Sequence, residues 1–380
     1  MTATLLEQRY RAVLRLLPAY YRRAREEEMV ETFLLRVGVA EDGAEDEARD
    51  LDLMRPSWRE AGSVVTLAVR SRMGAAGAPS GYVTLGGAVR HFALFALLLQ
   101  AAATVTEAAL SLAWSSRSAY DRSLLLDVFT SDGGYGWARG VALWAAPPLW
   151  TAAYATLLRQ RPRGARLFAA VAAVAASEPL VDEAHWSGTV TALTVATAVF
   201  GWLIVLAVCC GFHADAGPAR LPAVPPGLAF LGTCVLMGGS VVIRPEGVDS
   251  EWATGTAFAV AAAACLAARA LAARTDRARN DRGTDRDRND RPRSDRPRND
   301  QARTDRDRDD RPAAETTLAL AALGLVVLTL RAGLLAVELD IDLPAGLLAG
   351  AVAQLAVTVL LVAALAAVGA RDLRAAPRTG

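Results

Sequence analysis

Between residues 91 and 369 the chain is a succession of apolar runs, most of them long enough to cross a bilayer as helices. A hydrocarbon core about 30 Å thick needs about 20 apolar helical residues. Only a helix satisfies its own backbone hydrogen bonds inside lipid without closing into a barrel. About eight segments fit this requirement: 91–113, 137–158, 165–181, 187–212, 224–243, 252–273, 316–337 and 345–369. The segment 165–181 is the shortest and ends in polar residues. The fold class expected is all-α, a polytopic membrane helix bundle. A small helical domain (1–72) precedes it. The bundle divides into six helices (91–273) and a last pair (316–369), separated by a charged loop (274–315) and followed by a tail (370–380). No long apolar stretch precedes residue 91, so we expect no cleaved signal peptide, with the first span acting as the insertion signal.

The basic residues orient these spans. All 41 of them are arginine, and arginine is concentrated in loops on the cytoplasmic side of a membrane. With the N-terminus inside, the loop holding Arg159, Arg161, Arg163 and Arg166 is cytoplasmic. So are the loop 274–315 and the tail with Arg371, Arg374 and Arg378. The opposite loops hold Arg117, Arg122, Arg139 and Arg244, but also many carboxylates, among them Asp121, Glu178, Glu246 and Asp340. Omitting 165–181 would send the arginine tail outside. The expected localisation is therefore the cell membrane, multi-pass, with N- and C-termini cytoplasmic. Trp114, Trp137, Trp186 and Trp252 fall at the outer ends of their segments, where amphipathic rings favour the interface.

Two charges stand inside the apolar runs, Glu107 in the first and Arg331 in the seventh. A charge at that depth is costly unless it is paired or hydrated. The two lie at similar depth and are expected to form an ion pair between those helices, as a structural contact or as part of a polar pathway. Pro147 and Pro148 sit in the middle of the second run. They remove backbone donors and are expected to kink that helix.

The N-terminal block has a different character. Leu6, Tyr10, Val13, Leu14 and Leu17 recur at helical spacing. Pro18 suits the first turn of a second helix, whose apolar side is Tyr21, Met29, Val30, Phe33 and Val37. The acidic stretch 40–53 reads as loop. Ser57 and Glu60 fit a capping box, opening a helix with Trp58, Ala61, Val64, Val65 and Ala68 as one stripe. That helix suits either a third member of the domain or a segment lying among headgroups beside Arg59, Arg70 and Arg72.

The run RYRAVLRLLPAYYRRAREEEMVETFL, residues 9–34, resembles the N-terminal segment of actinobacterial multi-pass and permease-like membrane proteins. It is similar to the HAAS-type helical signalling module, which is associated with membrane proteins encoded beside PadR-type repressors. The resemblance covers residues 5–72. It implies a cytoplasmic helical adaptor and no catalytic residue.

Residues 274–312 repeat Asp and Arg with Asn, Thr and Pro. With almost no apolar side chain to bury, the segment is expected to be disordered. No phosphate loop, HExxH or GxSxG motif is present. The histidines, His91, His185 and His213, lie in separate regions, and the four cysteines all fall in apolar runs without metal-like spacing. No catalytic, cofactor or metal site is expected. The function expected is a membrane-anchored regulatory or interaction protein with residues 1–72 as its adaptor. The alternative is a transporter or permease component using Glu107 and Arg331. The expected partners are the lipid bilayer and a cytoplasmic protein, with no specific nucleic acid. The sequence leaves the oligomeric state open.

Overall fold

The computed structural model describes residues 5–37, 57–75, 77–116, 136–186, 190–213, 224–243, 250–287, 298–340 and 344–375. Among them the regular structure is helical throughout: α1 (Leu5–Leu14), α2 (Ala19–Val37), α3 (Trp58–Arg72), α4 (Ser80–Ser115), α5 (Gly136–Leu158) and α6 (Pro162–Ala176), then α7 (Glu178–Trp186), α8 (Ala192–Gly211), α9 (Pro226–Ile243), α10 (Ser250–Asp287), α11 (Arg298–Asp340) and α12 (Ala345–Ala375). They fall into two compact units, one holding the chain up to Gly87 and the other most of the rest.

The first unit is a three-helix bundle with its own core. Leu6, Tyr10 and Leu14 of α1 meet Val30 and Phe33 of α2 and Val64 and Ala68 of α3, with Leu17 closing the α1–α2 turn. The Tyr10 and Phe33 rings stack at 4.0 Å between centroids and 6° between planes. Outside this core Arg11 bridges the helices. It donates to Glu7 one turn earlier and to both carboxylate oxygens of Glu27, each at 2.9 Å. The expected capping box is present, with Ser57 Oγ accepting from Glu60 N and Glu60 accepting from Ser57 N. Its expected apolar stripe is split, however. Val64 and Ala68 turn into the bundle, whereas Trp58 is 94% exposed and Val65 is exposed as well. Packing against α1 selects one side of α3, and the stripe was wider than that contact.

The same unit includes the first two turns of α4. Gly74 holds φ at +80°, a left-handed conformation that glycine adopts without penalty. It lets the chain reverse between α3 and α4. Gly86 then comes so close to the Met73 backbone that a Cβ would run into the Met73 carbonyl. Tyr20 of α2 donates to the Ser71 carbonyl at 2.8 Å, and its ring lies 5.3 Å from that of Tyr82 on α4.

The second unit is a bundle whose core is dominated by alanine and leucine from α4 to α12, with Trp150, Phe200, Met237 and Phe258 as the large members. Small residues let helices without a strong hydrophobic drive approach closely in lipid. Gly201 of α8, for example, faces Ala173 of α6 and Trp150 of α5. The helices α5 and α6 form a hairpin around Arg159–Arg161. In it Arg161 N donates to Thr156 O at 2.9 Å and Gln160 takes φ of 58°.

Six helical stretches are long and apolar enough to cross a membrane among the described residues: Ser80–Ala113, Pro162–His185, Ala192–Gly211, Trp252–Thr275, Ala313–Val337 and Ala345–Arg374. The expected spans 137–158 and 224–243 correspond to α5, of 23 residues, and α9, of 18. Several helices exceed their apolar runs. α4 begins before residue 91 because Gly86 is a packing contact and not a helix stop. α10 and α11 carry helix into the charged segment expected to be disordered, to Asp287 and from Arg298. The acidic stretch 40–53, residues 288–297 and the loop 117–135 lie outside the described residues.

Candidate functional site

Two polar layers tie α10, α11 and α12 together, one near each end of the apolar part of those helices. At the arginine-rich end, Arg269 of α10 reaches Asp372 of α12 at 2.7 Å. Its other terminal nitrogen donates to Thr317 Oγ1 at 2.7 Å and to Ala313 O at 2.9 Å, both on α11. Thr317 is buried and returns its own hydroxyl to Ala313 O. One cation therefore holds three helices. Beside it, His91 Nδ1 of α4 lies 3.6 Å from a Glu315 carboxylate oxygen of α11, both side chains being largely buried. On α6, Arg166 donates to the Phe212 carbonyl at the end of α8. Such pairing is what permits charges near the hydrocarbon boundary.

At the opposite end Trp252 of α10 is the centre. The Arg331 guanidinium of α11, 2% exposed, lies 5.3 Å from the Trp252 ring centroid. This is cation–π geometry. Gln354 of α12 donates to Trp252 O and to Thr256 Oγ1, each at 3.0 Å. Gly255 makes this approach feasible, since a Cβ there would stand 3.1 Å from the Gln354 amide carbon. The Gln354 Oε1 is buried and has no hydrogen-bond partner among the described residues. Seventeen residues separate Trp252 from Arg269 along α10, about 25 Å of helix, close to the depth of a hydrocarbon core.

Of the residues singled out in sequence, Arg331 lies in the interior of the second unit, and Glu107 is exposed on α4. Pro147 and Pro148 lie within α5, whose helix continues through both. Thr151 Oγ1 donates back to Pro147 O at 2.9 Å, one of the side-chain bonds that settle a proline-interrupted helix in lipid. Arg269 is held by partners on two neighbouring helices. Sequence reasoning missed Asp372, Thr317, Gln354 and the His91–Glu315 pair. A glutamine inside an apolar run was a legible signal. An aspartate just past such a run was not. Among the described residues no group of His, Cys, Asp and Glu could hold a metal ion, and the four cysteines are unpaired thiols.

No family model, curated protein or solved structure matches this chain.

Proposed function

We propose that the chain is a membrane-anchored regulatory or interaction protein, an eight-span bundle carrying residues 1–72 as a cytoplasmic adaptor. The observation that carries the reading is the separate core of the α1–α3 bundle, fixed to the first turns of α4. A module with a core of its own has surface left to bind with. Leu35 is 62% exposed and Leu5 is also exposed. The stacked Tyr10–Phe33 pair brings these two leucines to the same end of the α1–α2 hairpin. Eight spans are supported by α5 and α9, which place Trp150, Tyr154, Met237 and Val241 in the same core as the six membrane-competent stretches. With eight spans the arginine-rich turn between α5 and α6 and both termini face the cytoplasm. The test is in-cell crosslinking from a photoreactive residue at position 35 of the full chain. The adaptor reading expects one discrete cytoplasmic protein, lost on Leu5→Glu. Crosslinks to lipid alone, or to no protein, would remove the reading.

A second reading, a transporter or permease component, draws on the layer around Arg331 and Gln354. A buried cation and an unsatisfied amide oxygen near one end of the apolar helices are the kind of groups that line a polar path. Its test is proton or ion leak through the reconstituted chain, with Arg331→Met and Gln354→Leu expected to abolish it.

A further inference from the structure

We infer that the outward face of α3 is a lipid-headgroup surface that takes anionic phospholipid. This goes beyond the adaptor reading, which uses the α1–α2 side of the bundle. Trp58, Val65 and Arg72 lie seven residues apart and so run along one line of the helix. All three are exposed, as is Arg59 beside Trp58. Val64, Ala68 and Ser71, about a quarter turn round the helix from that line, are buried against the bundle. An exposed tryptophan with flanking arginines is the composition of a helix that lies in the headgroup region.

The chain places that face where headgroups are. The membrane-competent stretch from Ser80 to Ala113 has 34 residues, about 50 Å of helix, against a hydrocarbon core about 30 Å thick. Its excess length belongs in the headgroup layer. The first turns of α4 are the ones the bundle grips, through Met73 on Gly86, Gly74 beside Val83, and Tyr20 against Tyr82. Only seven residues, Met73 to Pro79, separate α3 from α4, and beyond that turn α3 packs along α1. The bundle is thus tethered to the start of the first membrane-competent helix, and arginines within a Debye length of anionic lipid are attracted to it.

The experiment uses the full chain with its native cysteines replaced and one new cysteine at a time: Trp58→Cys, Val65→Cys, or Glu31→Cys on α2 as a control. Each is labelled with an environment-sensitive fluorophore and placed in nanodiscs of phosphatidylcholine, with or without phosphatidylglycerol. With phosphatidylglycerol present, labels at 58 and 65 are expected to shift to the blue and lose quenching by iodide, while the label at 31 does not change. Arg59→Gln with Arg72→Gln, both at exposed positions, should cancel the shift. If the label at 58 is quenched as fully as that at 31 in every disc, the face does not meet lipid and the inference fails. A blue shift of equal size in both discs overturns the recognition of anionic lipid.

Discussion

Arg269 on α10 and Asp372 on α12 approach to 2.7 Å, although more than a hundred residues and the whole of α11 separate them in sequence. The same guanidinium also holds Thr317, so the last three helices are joined at one point. Both charged side chains are about a quarter exposed, which places the pair between a surface bridge and a buried one. Asp372→Ala is expected to destabilise the full chain by about 1–3 kcal/mol, short of the ~3–5 kcal/mol for breaking a fully buried pair. Thermal unfolding in detergent checks this. Adding Arg269→Met should restore part of the loss, because the uncompensated charge is gone. Strict additivity would show that the two do not interact.

Gly86 offers a sharper test of the α3–α4 junction. A methyl group there meets the Met73 carbonyl, and backbone can yield only by moving the turn. Gly86→Ala is expected to cost about 1–3 kcal/mol by overpacking. The loss should appear as faster proteolysis of the α1–α3 bundle, while the second unit keeps its melting temperature. Gly62, with open space around it, is the control position.

Gly324 is the corresponding contact inside the second unit. A Cβ there collides with Phe258 of α10 and Val362 of α12. Gly324→Ala should lower the melting temperature of the purified chain, and Phe258→Leu in the same chain should recover part of it by vacating space.

Much of this architecture could be read before the structure, and the reasons it ran out are physical. Helical spacing identified Leu6, Tyr10, Leu14, Leu17 and Phe33, all of which lie in the first core, because a short amphipathic helix has only one side to bury. The same spacing failed for Trp58 and Val65, where the apolar stripe was broader than the partner helix. In the membrane the signal is weaker still. Lipid-facing and core-facing residues are equally apolar there, so sequence cannot say that Leu97 is buried while Leu360 is exposed. Charges were visible, but pairing such as Arg269 with Asp372 depends on which helices become neighbours. The junction at Gly74 and Gly86 was hidden too, because a glycine read in sequence is as much a helix breaker as a point of close contact.

The α1–α2 bridge predicts a pH response. Arg11, donating to both oxygens, holds the Glu27 carboxyl below the usual carboxylate range. A carboxyl depressed by folding stabilises the folded state above its unfolded pKa. That contribution is lost as pH falls through the folded value. Protection of the bundle from proteolysis by an acid-active protease should therefore weaken below about pH 4. Glu27→Gln should be less protected at neutral pH and respond less to acid. An unchanged acid response in Glu27→Gln would assign the effect to other carboxylates.

A cytoplasmic adaptor joined to eight spans fixes on which side of the membrane each loop lies. Single cysteines at position 35 on α2, position 163 at the start of α6 and position 190 before α8 can be labelled with a membrane-impermeant thiol reagent in intact cells and in inverted vesicles. Leu35→Cys and Arg163→Cys are expected to react only in inverted vesicles and Val190→Cys only in intact cells. Reaction of position 163 in intact cells, with position 190 protected, would remove α5 as a span. Reaction of position 35 from outside would contradict the cytoplasmic adaptor itself.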